Sequence, residues 1–132
     1  MNQIAQALDN VIKNSRITYL FSSRFARNTF CLFGGRLNNG EDTFIYNTQP
    51  PSGRYAMVGA GSNNISDVDL FVIRQQARDY TSGTEIAKDT AIDNHPICTF
   101  TVNPGYFYLL MHKNYASYGN SAGFVFSILL EL

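Results

Sequence analysis

Past residue 28, the hydrophobic side chains of this chain come in short bursts, many alternating with polar ones, and each burst is closed by Gly, Pro or Asn. A period of two is the spacing of a pleated strand with one face turned to a core. Residues 67–73, DVDLFVI, place Val68, Leu70 and Val72 on one face and Asp67, Asp69, Phe71 and Ile73 on the other. That second face is acidic at its start and apolar at its end, as expected of a strand leaving a wet rim for a covered region.

The same reading predicts a buried strand at 29–33 (TFCLF), stopped by Gly34-Gly35, and another at 42–47. Residues 54–60 (RYAMVGA) are apolar on both faces and predict a central strand. Further strands are predicted at 97–102, 106–113 and 124–132. Asn38-Asn39-Gly40 gives a hairpin signal, because Asn-Gly accepts the positive φ of a tight turn. Gln49-Pro50-Pro51 is a loop and Asn103-Pro104-Gly105 a tight turn. Residues 74–89 read either as a hairpin around Thr81-Ser82-Gly83-Thr84 or as a short helical excursion at 74–78. Residues 89–96 form an acidic loop, and 114–123 a long polar one.

Only the first stretch has a helical period. Over residues 2–14, Ile4, Ala7, Leu8, Val11 and Ile12 form a stripe, with Asn10, Lys13 and Asn14 off it. Seven to eight strands behind one amphipathic helix predict a mainly β fold: a jelly-roll-like antiparallel β-sandwich at 29–132, in a single domain spanning 1–132.

Composition narrows the function classes. Charged residues are 15% of the chain against 45% hydrophobic ones, which argues against disorder and leaves a surface rich in Asn, Ser, Thr and Gly, as in extracytoplasmic β proteins. A formal net charge of zero lacks the footprint of a general nucleic-acid or anionic-membrane binder. The basic residues gather before residue 60 and the acidic ones after it, which predicts pairing between the halves. Cys31 and Cys98 both lie in apolar runs and read as two reduced core thiols, with an inter-strand disulfide as the alternative. No run reaches the length of a membrane span and the N-terminus has no signal-peptide pattern; an exported chain whose signal peptide was removed would begin this way.

The segments DVDLFVI, DTAIDNHP, ICTFTV, NPG, YFYLLMHKNY and GFVFSILL, in that order, resemble bacterial pre-peptidase C-terminal domains. They are also similar to uncharacterised bacterial exported proteins in which a helix and a G-x-L-x-x-G segment, here Gly35 to Gly40, precede the same core. The resemblance covers residues 35–132. It implies a small exported sandwich without shared catalytic apparatus, acting as a binding or accessory module. Val68, Arg74-Gln75-Gln76 and Cys98 depart from the pattern.

Candidate chemistry concentrates in two places. Asp67 and Asp69 project to one side of a strand, and Asp89 and Asp93 could approach from the returning loop; converging hard oxygens are what Ca²⁺ takes, and a cation relieves crowded carboxylates. Turn capping by the same acids is the alternative. Tyr115 and Tyr118, with Asn114 and Asn120, form an aromatic and amide-rich loop suited to a peptide or glycan. His95 and Cys98 lie too close in sequence for a nucleophile and base, His112 reads as part of a half-buried sandwich face, and the Gly59-Ala60-Gly61 fragment has no helix behind it to hold a nucleotide. The leading expectation is a non-enzymatic exported module binding a protein, peptide or glycan, with Ca²⁺ as candidate ion. A small hydrolase using the acidic rim and a structural subunit that forms homo-oligomers are the alternatives.

Overall fold

The computed structural model describes residues 2–17, 30–76 and 83–132. Within them lie one α-helix, α1 (Gln3–Ile17), and eight strands. The strands are β1 (Phe30–Leu37), β2 (Asp42–Thr48), β3 (Gly53–Gly61), β4 (Ile65–Gln75), β5 (Thr84–Asp89), β6 (Ile97–Val102), β7 (Phe107–Ser117) and β8 (Gly123–Glu131). They form two four-stranded sheets, β1-β8-β3-β6 and β2-β7-β4-β5. First pairs with last, second with seventh, third with sixth and fourth with fifth, all antiparallel. This is the order obtained by rolling one long hairpin into a jelly-roll sandwich.

Alternation decides what fills the space between the sheets. Tyr55, Met57 and Leu129 of the first sheet meet Leu70, Val72, Tyr108 and Leu110 of the second, with Cys98, Phe100 and Val102 closing one side. The strand predicted to be apolar on both faces, β3, is central, and its other face carries Ala56, Val58 and Ala60. These join Ile128 and Leu130 of β8 under Val11 of α1. The helix therefore lies on the outside of the first sheet. It starts where the Asn2 side chain accepts the Ala5 N–H at 2.8 Å, an N-cap that satisfies one otherwise unpaired donor.

Two of the three polar residues off the apolar stripe of α1, Asn10 and Asn14, are used against the sheet, while Lys13 stays exposed. Val58 pairs with Ile97, so Gly59 faces Pro96 next in register, and the Gly59 N–H donates to the Pro96 carbonyl at 2.9 Å. The reciprocal bond cannot form, because proline has no N–H. Asn14, 7% exposed, supplies the missing donor: its Nδ2 reaches Gly59 O at 2.9 Å and Pro96 O at 3.2 Å. One turn earlier, Asn10 Nδ2 donates to Gly61 O at 2.9 Å, and one turn before that Gln6 Oε1 accepts the Asn63 N–H at 3.1 Å. Steps of four residues along a helix span about 6 Å and steps of two along a strand about 6.8 Å, so the two ladders match.

Several expectations are corrected. Gly34-Gly35 does not stop β1, which runs on to Leu37. A side chain at Gly34 would collide with the Val125 carbonyl of β8, so the glycine permits close strand pairing instead of ending it. The Asn38-Asn39-Gly40 turn, with Gly40 at φ 83°, joins β1 to β2 in opposite sheets and so arches over the sandwich without making a hairpin. The Pro104-Gly105 turn does the same between β6 and β7. Cys31 is exposed, because β1 is an edge strand; Cys98 is buried, and both are free thiols. Among the described residues the salt bridges are Lys13 to Asp9 and Lys88 to Glu85, each within one element, and none joins the two halves. Of the uncertain stretch 74–89, Arg74 and Gln75 close β4 and Thr84–Asp89 forms β5, paired antiparallel, which replaces the start of the helical excursion proposed over 74–78; residues 77–82, where the proposed hairpin tip falls, lie outside the described residues.

Candidate functional site

Among the described residues no helix lies over the second sheet. Of the described elements, α1 packs on β3 and β8, leaving the outer face of β2-β7-β4-β5 open. Cross-strand register builds that face in rows: Phe44 of β2 beside Met111 of β7, and Met111 beside Phe71 of β4. One step along, Asp42 lies beside Lys113, and Lys113 beside Asp69. Phe44 and Tyr46 are 43% and 49% exposed, large values for aromatic rings on a sheet. The two rings sit 5.7 Å apart.

Where β4 and β7 reach the rim, a groove of about 630 Å³ opens, lined by Asp67, Asp69, Phe71, Ile92, Lys113 and Tyr115 among others. The structure thus brings one residue of the aromatic candidate set, Tyr115, to the first two of the acidic set. Ile92, 89% exposed, stands at the groove from the β5–β6 loop. That loop is tied down by a bond from the Val68 N–H to Asp93 O at 2.8 Å.

The four acidic candidates divide into two kinds. Asp89 accepts the Ala91 N–H at 3.0 Å and the Ile97 N–H at 2.9 Å, and Asp93 accepts the His95 N–H at 3.0 Å. These two hold the loop, the turn-capping role of short acids. Asp67 and Asp69 are 4% and 5% exposed, and the Oδ1 of each is buried without a hydrogen-bond partner. Burial, then the Asp67 charge and the hydrogen bond between the two carboxyls, push Asp69 up to about 6, while Lys113 works the other way. Burial also raises Asp67, against the lowering effect of bonds from the Asp93 backbone and from Asp69. Interacting this closely, the two carboxyls titrate as a pair and not independently. Among the described residues no three Asp, Glu, His or Cys side chains come together as a metal-binding group.

The other aromatic-loop candidates separate. Asn114 is not in a loop: β7 continues to Ser117, and Asn114 points into the sandwich, fully buried, with Nδ2 donating to Leu37 O at 3.3 Å. Tyr118 and Asn120 lie on a single 3-10 turn beyond the strand, both exposed, with Asn120 at φ 52°; neither lines the groove.

His112 is another correction. It is fully enclosed between the sheets, its ring stacked on Phe33 at 4.7 Å and its Nδ1 2.8 Å from Ser127 Oγ. Burial pushes its pKa down to about 4, so it is neutral at physiological pH. A serine beside a histidine suggests a nucleophile, yet both are 0% exposed and neither can meet a substrate. Cys98 is likewise inert, its thiol pushed up to about 12 by burial and the Asp89 charge. A second opening, of about 450 Å³, lies at the end of the sandwich by Cys31, Pro50, Pro51 and Tyr55.

Sequence reasoning placed Phe71 on the outer face of its strand but missed Lys113, Ile92, Phe44 and Met111. The available signal was shared parity: Met111, Lys113 and Tyr115 alternate with Leu110 and His112, so the three fall on the face that Leu110 leaves.

No protein-family model matches the sequence, and no curated protein matches it. Solved structures share the fold. A mitogen from Yersinia pseudotuberculosis aligns with a TM-score of 0.53 at 16% identity, over 78% of this chain and 85% of that one. A periplasmic inhibitor of g-type lysozyme from Aeromonas hydrophila aligns with a TM-score of 0.53 at 11% identity, over 79% and 87%. The pre-peptidase C-terminal domain of a Bacillus anthracis collagenase gives 0.43 at 16% identity, over 74% and 87%, too loose an overlap to argue from. At such identities the likeness establishes the sandwich and leaves activity to the residues.

Proposed function

We propose that this chain is a non-enzymatic, exported binding module that takes a protein partner on the outer face of its second sheet. The observation that carries the reading is the row Phe44, Met111 and Phe71, with Tyr46 beside it, on a face that no described element covers. Aromatic and methionine side chains grouped on one open sheet face are the composition of an interface core, and a monomer gains nothing by leaving them wet. That the same fold serves an inhibitor of g-type lysozyme, itself periplasmic, and a mitogen accords with a protein partner outside the cytoplasm.

The hydrolase alternative draws on Asp67 and Asp69, since two carboxyls sharing one proton are also the apparatus of aspartic hydrolases. It is separable, because peptide cleavage at pH 4–6 that disappears in Asp69→Asn would establish it. The calcium reading retains two carboxylates, one of them already bonded to the Asp93 backbone, fewer than the six to eight oxygens that ion takes. Its test is a melting temperature that falls with chelator.

The binding reading is tested by affinity capture from periplasmic and culture fractions with the native chain and with Phe44→Glu/Met111→Glu, after both are shown to melt alike. The expected result is a protein retained by the native chain, lost by the variant, and bound again when purified. Equal retention by both chains would overturn it, as would light scattering showing a dimer that the double variant dissolves.

A further inference from the structure

We infer that the groove over Asp67 and Asp69 is the socket for a cationic side chain, an arginine or lysine of the partner protein; this rests on the binding reading above. Three observations on separate elements lead to it. The Oδ1 atoms of Asp67 and Asp69 are unpartnered and sealed from solvent, on side chains at least nine-tenths buried that line an open groove. Leaving buried acceptors unmet costs stability, and a charged donor is the partner that meets a carboxylate best.

The nearest built-in cation does not do this. Lys113 lies beside Asp69 in register, yet makes no ion pair with it and holds its Nζ 5.5 Å from the centre of the Tyr115 ring. An aromatic face that already carries a cation shows how an incoming one would be flanked. Phe71 and Ile92 supply apolar walls for the methylene stem of such a side chain, which packs along apolar surface while its head stays on the acids.

The groups around the pair set the pH behaviour. Asp89 and Asp93 add negative charge from β5 and its loop, and Lys113 adds one positive charge from β7. Below about pH 6, where the pair holds a proton, the socket is half neutralised. An entering cation displaces that proton, so occupancy should rise as pH increases through about 6, the region of the Asp69 pKa.

The test is an NMR titration of the ¹⁵N-labelled full chain with N-acetyl-arginine methylamide, and with its neutral citrulline counterpart, at pH 5 and pH 7.5. The arginine probe should shift the amides of residues 66–71 and 113–116 saturably, bind about tenfold or more tightly than citrulline, and weaken at pH 5. Asp67→Asn/Asp69→Asn, checked by its melting curve, should abolish the shifts. Lys113→Gln should tighten binding by removing a competing cation. Equal binding of both probes, shifts that survive the double variant, or weaker binding in Lys113→Gln would overturn the socket. Calcium chloride moving the same amides while arginine does not would replace it with a metal site. Failure here with capture still lost in Phe44→Glu/Met111→Glu removes the socket and leaves the binding face standing. Arginine binding with capture unchanged in that variant removes the face instead.

Discussion

The two outer faces of this sandwich are built from strands of the same kind and treated in opposite ways. Over the first sheet, Ala56, Val58, Ala60, Ile128 and Leu130 are all nearly inaccessible, because α1 lies on them. Over the second, Phe44 and Tyr46 remain about half exposed, and a buried acid pair opens into a groove beside them. Small and aliphatic residues suit a helix brought close to a sheet; large aromatics, methionine and unpaired carboxylates suit a surface that something else will cover. The helix side accounts for its polar groups down to the donor that Pro96 lacks, while the open side leaves acceptors unmet. The contrast separates residues that hold the fold from residues free to serve a partner.

The largest effect expected is on the covered side. Leu130→Ala should cost about 2–5 kcal/mol in denaturant unfolding, from lost burial plus a cavity. Phe44→Ala, removing a larger ring, should stay within about 0.5 kcal/mol, as surface changes do. Comparable losses at the two sites would erase the distinction between the faces.

Between the sheets, His112 makes a pH prediction. Its folded pKa of about 4 lies below the unfolded 6.5, so the unfolded chain takes up a proton first as pH falls. Stability is full above pH 6.5 and drains toward pH 4, by on the order of 3 kcal/mol. Asp69 acts oppositely: with its pKa raised from 3.8 to about 6, ionisation penalises the fold above pH 6 and the penalty disappears below 3.8. Replacing His112 and Ser127 together (H112L/S127A) should remove the acid loss and expose a rise in stability between pH 6 and 4. Asp69→Asn should remove that rise. Urea midpoints across pH 4–8 read both.

Smaller, about 1–3 kcal/mol, is the loss expected in Asn14→Ala, which strips the carbonyls of Gly59 and Pro96 of their donor. Adding Pro96→Ala returns a backbone N–H to Gly59 O and should recover part of it. A double variant no more stable than Asn14→Ala would show that the helix amide is not standing in for the proline.

Much of this was legible beforehand. Val68, Leu70 and Val72 alternate so cleanly that the central strand and its two faces follow, and the doubly apolar 54–60 run implied a cover on both sides. What escaped was set by partners far away in sequence. The buried polar residues Asn114 and Ser117 disguised the last four residues of β7 as a loop, because an alternation of apolar and polar fails where buried positions are themselves polar. Asn14 read only as a residue off the apolar stripe because its purpose depends on Pro96. The acidic site was half visible: Asp67 and Asp69 share a face by parity alone, but only register with β7 brings Lys113 and Tyr115 to them, and only the loop's own backbone shows that Asp89 and Asp93 are occupied.

The central claim, that the second sheet carries the function and the first carries the fold, is tested most directly by amide hydrogen exchange of the chain with and without its captured partner. Protection should appear in β2, β4 and β7 around residues 44, 67–71 and 111–115, with α1, β3 and β8 unchanged. Protection centred on α1 and the first sheet would contradict it.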